Sequence, residues 1–217
     1  MAERAERDGS RAGPPPLTIV SRTRLFPSTR RPRTRTPLSI LDAKVARFSP
    51  TAAAWIYDES RSVDQLGQAL QTVVDRYPAW TGQLRFAHAH AGGLDDASRD
   101  HTRRYGRLEL VHGSEGEEEG AQADPGVELI VAHSSVPLAG RLPDRNAGVF
   151  DAADGVTPKE LLDQDTPLTL SSSLADEGQP ALPAVYVQVT TFEGGGTAVA
   201  LKIAHALGLS PLSACAR

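Results

Sequence analysis

The chain has 217 residues, 40% of them hydrophobic and 23% charged, enough for a packed core under a charged surface. A net charge of −4 gives no broad positive field for nucleic acid or an anionic membrane, and no apolar run approaches the ~20 residues of a spanning helix. The single cysteine, Cys215, excludes an internal disulfide and a cysteine-based zinc site.

Residues 1–16 are polar and end in Pro14, Pro15 and Pro16, which predicts a disordered leader. The first eight residues lack the apolar core of a secretory signal. Arginines 22, 24, 30, 31, 33 and 35 form an acid-free basic stretch, but Glu3, Glu6 and Asp8 argue against an organelle-targeting leader. With one cysteine, the expected placement is cytoplasmic. Residues 17–37 mix short apolar runs with Arg and Pro and suit an extended leading segment. The compact region opens at 37–42, where Asp42 is expected to cap or pair with an early arginine.

Residues 52–57 read as a strand. The spacing of Val63, Leu66, Leu70, Val73 and Tyr77 predicts a helix over 63–77. Ser62 and Gln65 stand in capping-box register, and Pro78 stops the helix. Trp80, Leu84 and Phe86 then alternate as in a half-buried strand. Residues 87–105 read as a loop insertion and 107–112 as a strand. Residues 113–126, with Glu115, Glu117, Glu118 and Glu119, read as a solvated acidic loop, since adjacent carboxylates repel. Residues 127–132 are a further strand.

Thr157, Pro158 and Glu160 start a short helix, and 171–183 is polar linker. Residues 184–204 form a hairpin around Gly194, Gly195 and Gly196. Val185, Val187 and Val189 share one face of its first strand, with Tyr186, Gln188 and Thr190 on the other. Thr197, Val199, Leu201, Ile203 and His205 share one face of the return strand. The glycines are not a phosphate loop, because no Gly-Lys-Ser/Thr follows. The order of elements predicts an α/β (mixed α+β) fold, a mixed β-sheet flanked by helices, without internal repeats.

His205 is the candidate catalytic residue. An imidazole where a strand ends suits a general base near neutral pH. Spacing alone favours a partly buried, hydrogen-bonded histidine without chemistry. His88, His90 and His101 lie in an Ala/Gly-rich loop without ligand spacing, so no metal site is expected. His112 and His133 sit at strand ends without evident partners, and Ser134-Ser135 lacks the Gly-x-Ser-x-Gly frame. Cys215 has only Arg217 nearby to activate it.

Five stretches, in order, carry a resemblance. They are 37–42 (PLSILD), Leu66–Leu70 through Arg76–Leu84, 107–111 with 126–132, Val187–Gly196, and His205 itself. Together they resemble the N-terminal half of the BAHD acyltransferases, in a fungal flavour carried by Arg76–Trp80. The resemblance implies a chloramphenicol-acetyltransferase-like half over 17–208. It implies transfer of an acyl group, other than amino-acyl, from acyl-CoA to a small alcohol or amine of secondary metabolism. No bound cofactor is implied, with acyl-CoA as co-substrate, and no nucleic-acid or membrane partner. His205 would be the base that deprotonates the acceptor. The family's His-x-x-x-Asp places an aspartate at position 209, where this chain has Leu209. The expectation is therefore an impaired half: a divergent tail over 209–217 and no second domain with its Asp-Phe-Gly-Trp-Gly segment. The alternative is a non-catalytic fragment or binding module of the same fold. A peptide-synthetase condensation domain fits less well, since Ala204 stands where a second histidine would precede His205.

Overall fold

The computed structural model describes residues 17–38, 51–86, 108–113, 124–140, 174–175, 182–204 and 207. The leader 1–16, Asp42, the loop histidines His88, His90 and His101, the acidic run 115–119, the helix start at Thr157, His205 and the tail with Cys215 lie outside the described residues.

Two sheets share one apolar core. The first has five strands in the order β1-β6-β8-β9-β3: β1 Thr18–Leu25, β3 Thr51–Tyr57, β6 Val127–Ser134, β8 Val185–Phe192 and β9 Thr197–Ile203. The second has the order β2-β5-β4-β7: β2 Thr34–Pro37, β4 Gln83–Phe86, β5 Leu108–His112 and β7 Leu174–Ala175. Strands β6 and β8 pair in parallel, as do β4 and β7, and the other neighbours are antiparallel. The fold is thus mixed α/β with mixed sheets.

Helix α1, Val63–Arg76, is set by its sequence at both ends. Ser62 Oγ accepts the Gln65 N–H at 3.3 Å, and the Tyr77 N–H closes the last turn on the Val73 carbonyl. Its buried stripe is Val63, Leu66, Leu70 and Val74, against the face of the five-stranded sheet carrying Leu129, Val187, Val189, Val199 and Leu201. The register favours Val74 over Val73, because steps of four keep the stripe over the sheet. Fully burying a side chain such as Val74 contributes about 1.5–3 kcal/mol.

Three expectations change. Trp80 belongs to a 3-10 turn, Pro78–Thr81, and not to the strand that follows. Pro78 fixes φ at the start of that turn, and Tyr77 stacks on Trp80 with ring centroids 5.6 Å apart. The leading segment is a full strand, β1, whose register shifts at Val20 between Ile19 and Ser21. Within the expected linker 171–183, Leu174 and Ala175 pair with Leu84 and Arg85 of β4.

Candidate functional site

The β8–β9 hairpin lies inside the five-stranded sheet, with β6 on one side and β3 on the other. Its turn needs three consecutive residues at positive φ: Gly194 at 73°, Gly195 at 109° and Gly196 at 95°. A side chain is strained in that region, so the glycines are a backbone requirement. The Glu193 N–H donates to the Ser134 carbonyl at 2.9 Å and ties the turn to β6.

At the other end β9 closes with Ile203. The Ala204 N–H then donates to the Ala184 carbonyl at 2.9 Å, and the Leu207 N–H donates to the Ala204 carbonyl at 2.8 Å. Ala204 and Leu207 are both buried in the core. The backbone on either side of the candidate base is therefore anchored. His205 itself lies outside the described residues.

Val185, Val187 and Val189 pair with Ile203, Leu201 and Val199, and this face is the one covered by α1. The face beyond it carries a row of polar groups across four strands. Arg24 pairs with Glu128, Glu128 with Tyr186, and Tyr186 with Lys202. The Glu128 carboxylate takes Arg22 at 2.7 Å and Arg24 at 3.0 Å. The Lys202 ammonium sits 5.2 Å from the centroid of the Tyr186 ring. Lys202 is 2% exposed, and among the described residues its Nζ has no hydrogen-bond partner. Burial pulls its pKa down to about 8. Tyr186 is pushed up to about 12, by burial first and then by the Glu128 carboxylate, against the pull of Arg24 and Arg22.

Sequence reasoning missed this row. The signal was present: Lys202 interrupts an apolar strand between Leu201 and Ile203, so it must face away from them. The two strand-end histidines also gain an environment. His133 Nδ1 is 3.1 Å from Thr191 Oγ1, and its Nε2 is 3.7 Å from Glu193 Oε2, which corrects the expectation of no partner. His112 is half-buried with Nδ1 unpartnered among the described residues. Burial lowers its pKa, opposed by the Asp124 carboxylate. Ser134 Oγ donates to the Val136 carbonyl and accepts the Val136 N–H, a local turn in keeping with the absence of a nucleophile frame.

Among the described residues no cluster of His, Cys, Asp and Glu is arranged to hold a metal. No helix among them is long and apolar enough to cross a membrane.

No protein-family model matches the chain, and no curated protein does. Solved structures do. Vinorine synthase is similar over 86% of this chain and 37% of its own, at 17% identity and a TM-score of 0.48. TRI101 of F. graminearum, complexed with ethyl coenzyme A, is similar over 81% of this chain and 35% of its own, at 16% identity and a TM-score of 0.46. The same protein complexed with coenzyme A and T-2 mycotoxin gives 16% identity and a TM-score of 0.44. The chain thus spans little more than a third of the length of these structures. Likeness at this level does not fix an activity.

Proposed function

We propose that the chain is the histidine-bearing N-terminal part of an acyl-CoA-dependent acyltransferase of the BAHD type, fungal in flavour. His205 would be the base that takes the proton of an alcohol or amine as that acceptor attacks the thioester carbonyl. The supporting observation is the anchoring of β9 inside the five-stranded sheet, with Ala204 and Leu207 pinned around position 205. A base acts through its geometry before its pKa, and a fixed strand end is where such a group would be placed. A hydroxyl is a poor nucleophile until its proton is removed in the transition state, so one placed imidazole is worth about 10²–10⁴ in rate.

Leu209 stands where the resembling family has aspartate, and a leucine side chain accepts no hydrogen bond. Without that restraint the histidine loop is held less well, and turnover by this chain alone is expected to be very low. The same residue favours the second reading, a non-catalytic binding module of the same fold.

The test is to sequence the transcript beyond codon 208 and express its product. That product is assayed for thiol release from acetyl-CoA with a panel of small alcohols and amines, beside His205→Ala. The acyltransferase reading expects an aspartate four residues after His205 in the product. It also expects acceptor-dependent thiol release that falls about 10²–10⁴-fold in the variant. No thiol release with any acceptor supports the binding module, and turnover that survives His205→Ala removes the histidine from the mechanism.

A further inference from the structure

The 3-10 turn Pro78–Thr81 and the segment joining β1 to β2 enclose a cavity of about 280 Å³. That is just below the ~300–1,000 Å³ typical of ligand pockets, too small for a coenzyme and sufficient for a single small metabolite. Its walls have three different characters. Phe26, Pro27 and Pro78 form an apolar side, and Phe26 is 47% exposed. Arg30 and Arg31 form a cationic side, and among the described residues neither makes a salt bridge. The third side is the Asp124 carboxylate beside Thr81 and His112.

Asp124 is held from one side only. The Gly113 N–H donates to its Oδ2 at 2.8 Å, and the Thr81 hydroxyl, which donates to the Pro78 carbonyl at 2.7 Å, lies 3.4 Å from the same oxygen. Among the described residues Oδ1 receives no hydrogen bond, so one oxygen of a fixed, half-buried carboxylate is free to accept. Burial raises the pKa of Asp124 against the Gly113 N–H that favours its ionised form. A ligand donor on Oδ1 would offset that desolvation. Gly113 at φ 95° makes this geometry possible, since a Cβ there would lie 2.2 Å from the Pro32 carbonyl oxygen.

We propose that this cavity binds a small carboxylic acid that carries a hydroxyl or amino group beside its carboxylate and a hydrocarbon side chain. The carboxylate pairs with Arg30 and Arg31, whose planar guanidinium groups match it. The neighbouring hydroxyl or ammonium donates to Asp124 Oδ1. The hydrocarbon covers Phe26, Pro27 and Pro78. This site is independent of His205 and of the acyl-transfer reading.

The experiment titrates the full chain by calorimetry with four probes of one size: phenylalanine, phenyllactate, 3-phenylpropionate and phenethylamine. Phenylalanine or phenyllactate is expected to saturate, the better of the two showing whether Asp124 prefers an ammonium or a hydroxyl. Loss of either polar group, in 3-phenylpropionate or phenethylamine, is expected to weaken binding about tenfold or more. Asp124→Asn is expected to erase the advantage over 3-phenylpropionate. Arg30→Gln with Arg31→Gln, on two exposed positions that leave the core untouched, is expected to weaken every carboxylate about tenfold or more. Three results overturn the proposal: no saturation by any probe up to about 10 mM, equal binding of all four, or binding unchanged in the double arginine variant.

Discussion

Replacing Lys202 with methionine should stabilise the protein at neutral pH. The ammonium is 2% exposed, lacks a hydrogen-bond partner among the described residues, and has a pKa of about 8 in place of 10.5. In the unfolded chain the amine titrates near its ordinary value, so between pH 8 and 10.5 the unfolded state binds the extra proton. Stability then rises with pH across that window, and the full penalty of a buried charge is present below it. Lowering the pKa from 10.5 to about 8 corresponds to a penalty of roughly 3 kcal/mol. Methionine fills a similar volume without the charge. It forfeits the contact with the Tyr186 ring, worth about 0.5–2 kcal/mol. The net expectation is a gain of about 1–3 kcal/mol at pH 7 that fades towards pH 10.5. Urea unfolding of both proteins at pH 7, 9 and 10.5 measures it. A loss of about 1 kcal/mol or more at pH 7 would refute the reasoning, because it would mean that the ammonium is paired in the folded chain.

Glu128→Gln removes the charge shared by Arg22 and Arg24. Both arginines are more than a third exposed, so the expected loss is only about 1–2 kcal/mol by chemical unfolding, smaller in 1 M salt. The Tyr186 phenol should titrate at lower pH in that variant, read by ultraviolet absorbance, and an unmoved phenol would disconnect the two groups. Ser62→Ala removes the cap on the Gln65 N–H and should cost about 1 kcal/mol, with fraying confined to the first turn of α1 in amide exchange.

The sheet cores were the legible part of the sequence. The alternation in Val185–Phe192 and Thr197–Ile203 fixed the faces correctly, and three adjacent glycines allowed only a turn between them. The capped, periodic stretch after Ser62 gave α1 to within one residue. What stayed hidden depends on groups distant in sequence. Thr18–Leu25 was legible as extended chain but not as a sheet strand, because its partner is β6, and Thr18 meets His133. Asp124 lines the same cavity as Arg30 across more than 90 residues, and no spacing rule reports that. Lys202 was legible as an outward-facing charge, while its burial was not, since burial is set by whatever covers that face.

Strand β3 adds a constraint on how the chain is made. Thr51 waits for Ile203, 152 residues downstream, and every register pair of β3 is with β9. At about 5–20 residues per second, synthesis leaves roughly 8–30 s between the two strands emerging. Throughout that interval Trp55, Ile56 and Tyr57, still among the most exposed large apolar side chains after folding, sit on a nascent strand with no partner. Vectorial synthesis thus leaves β3 with an unpaired edge and three large apolar side chains until β9 emerges.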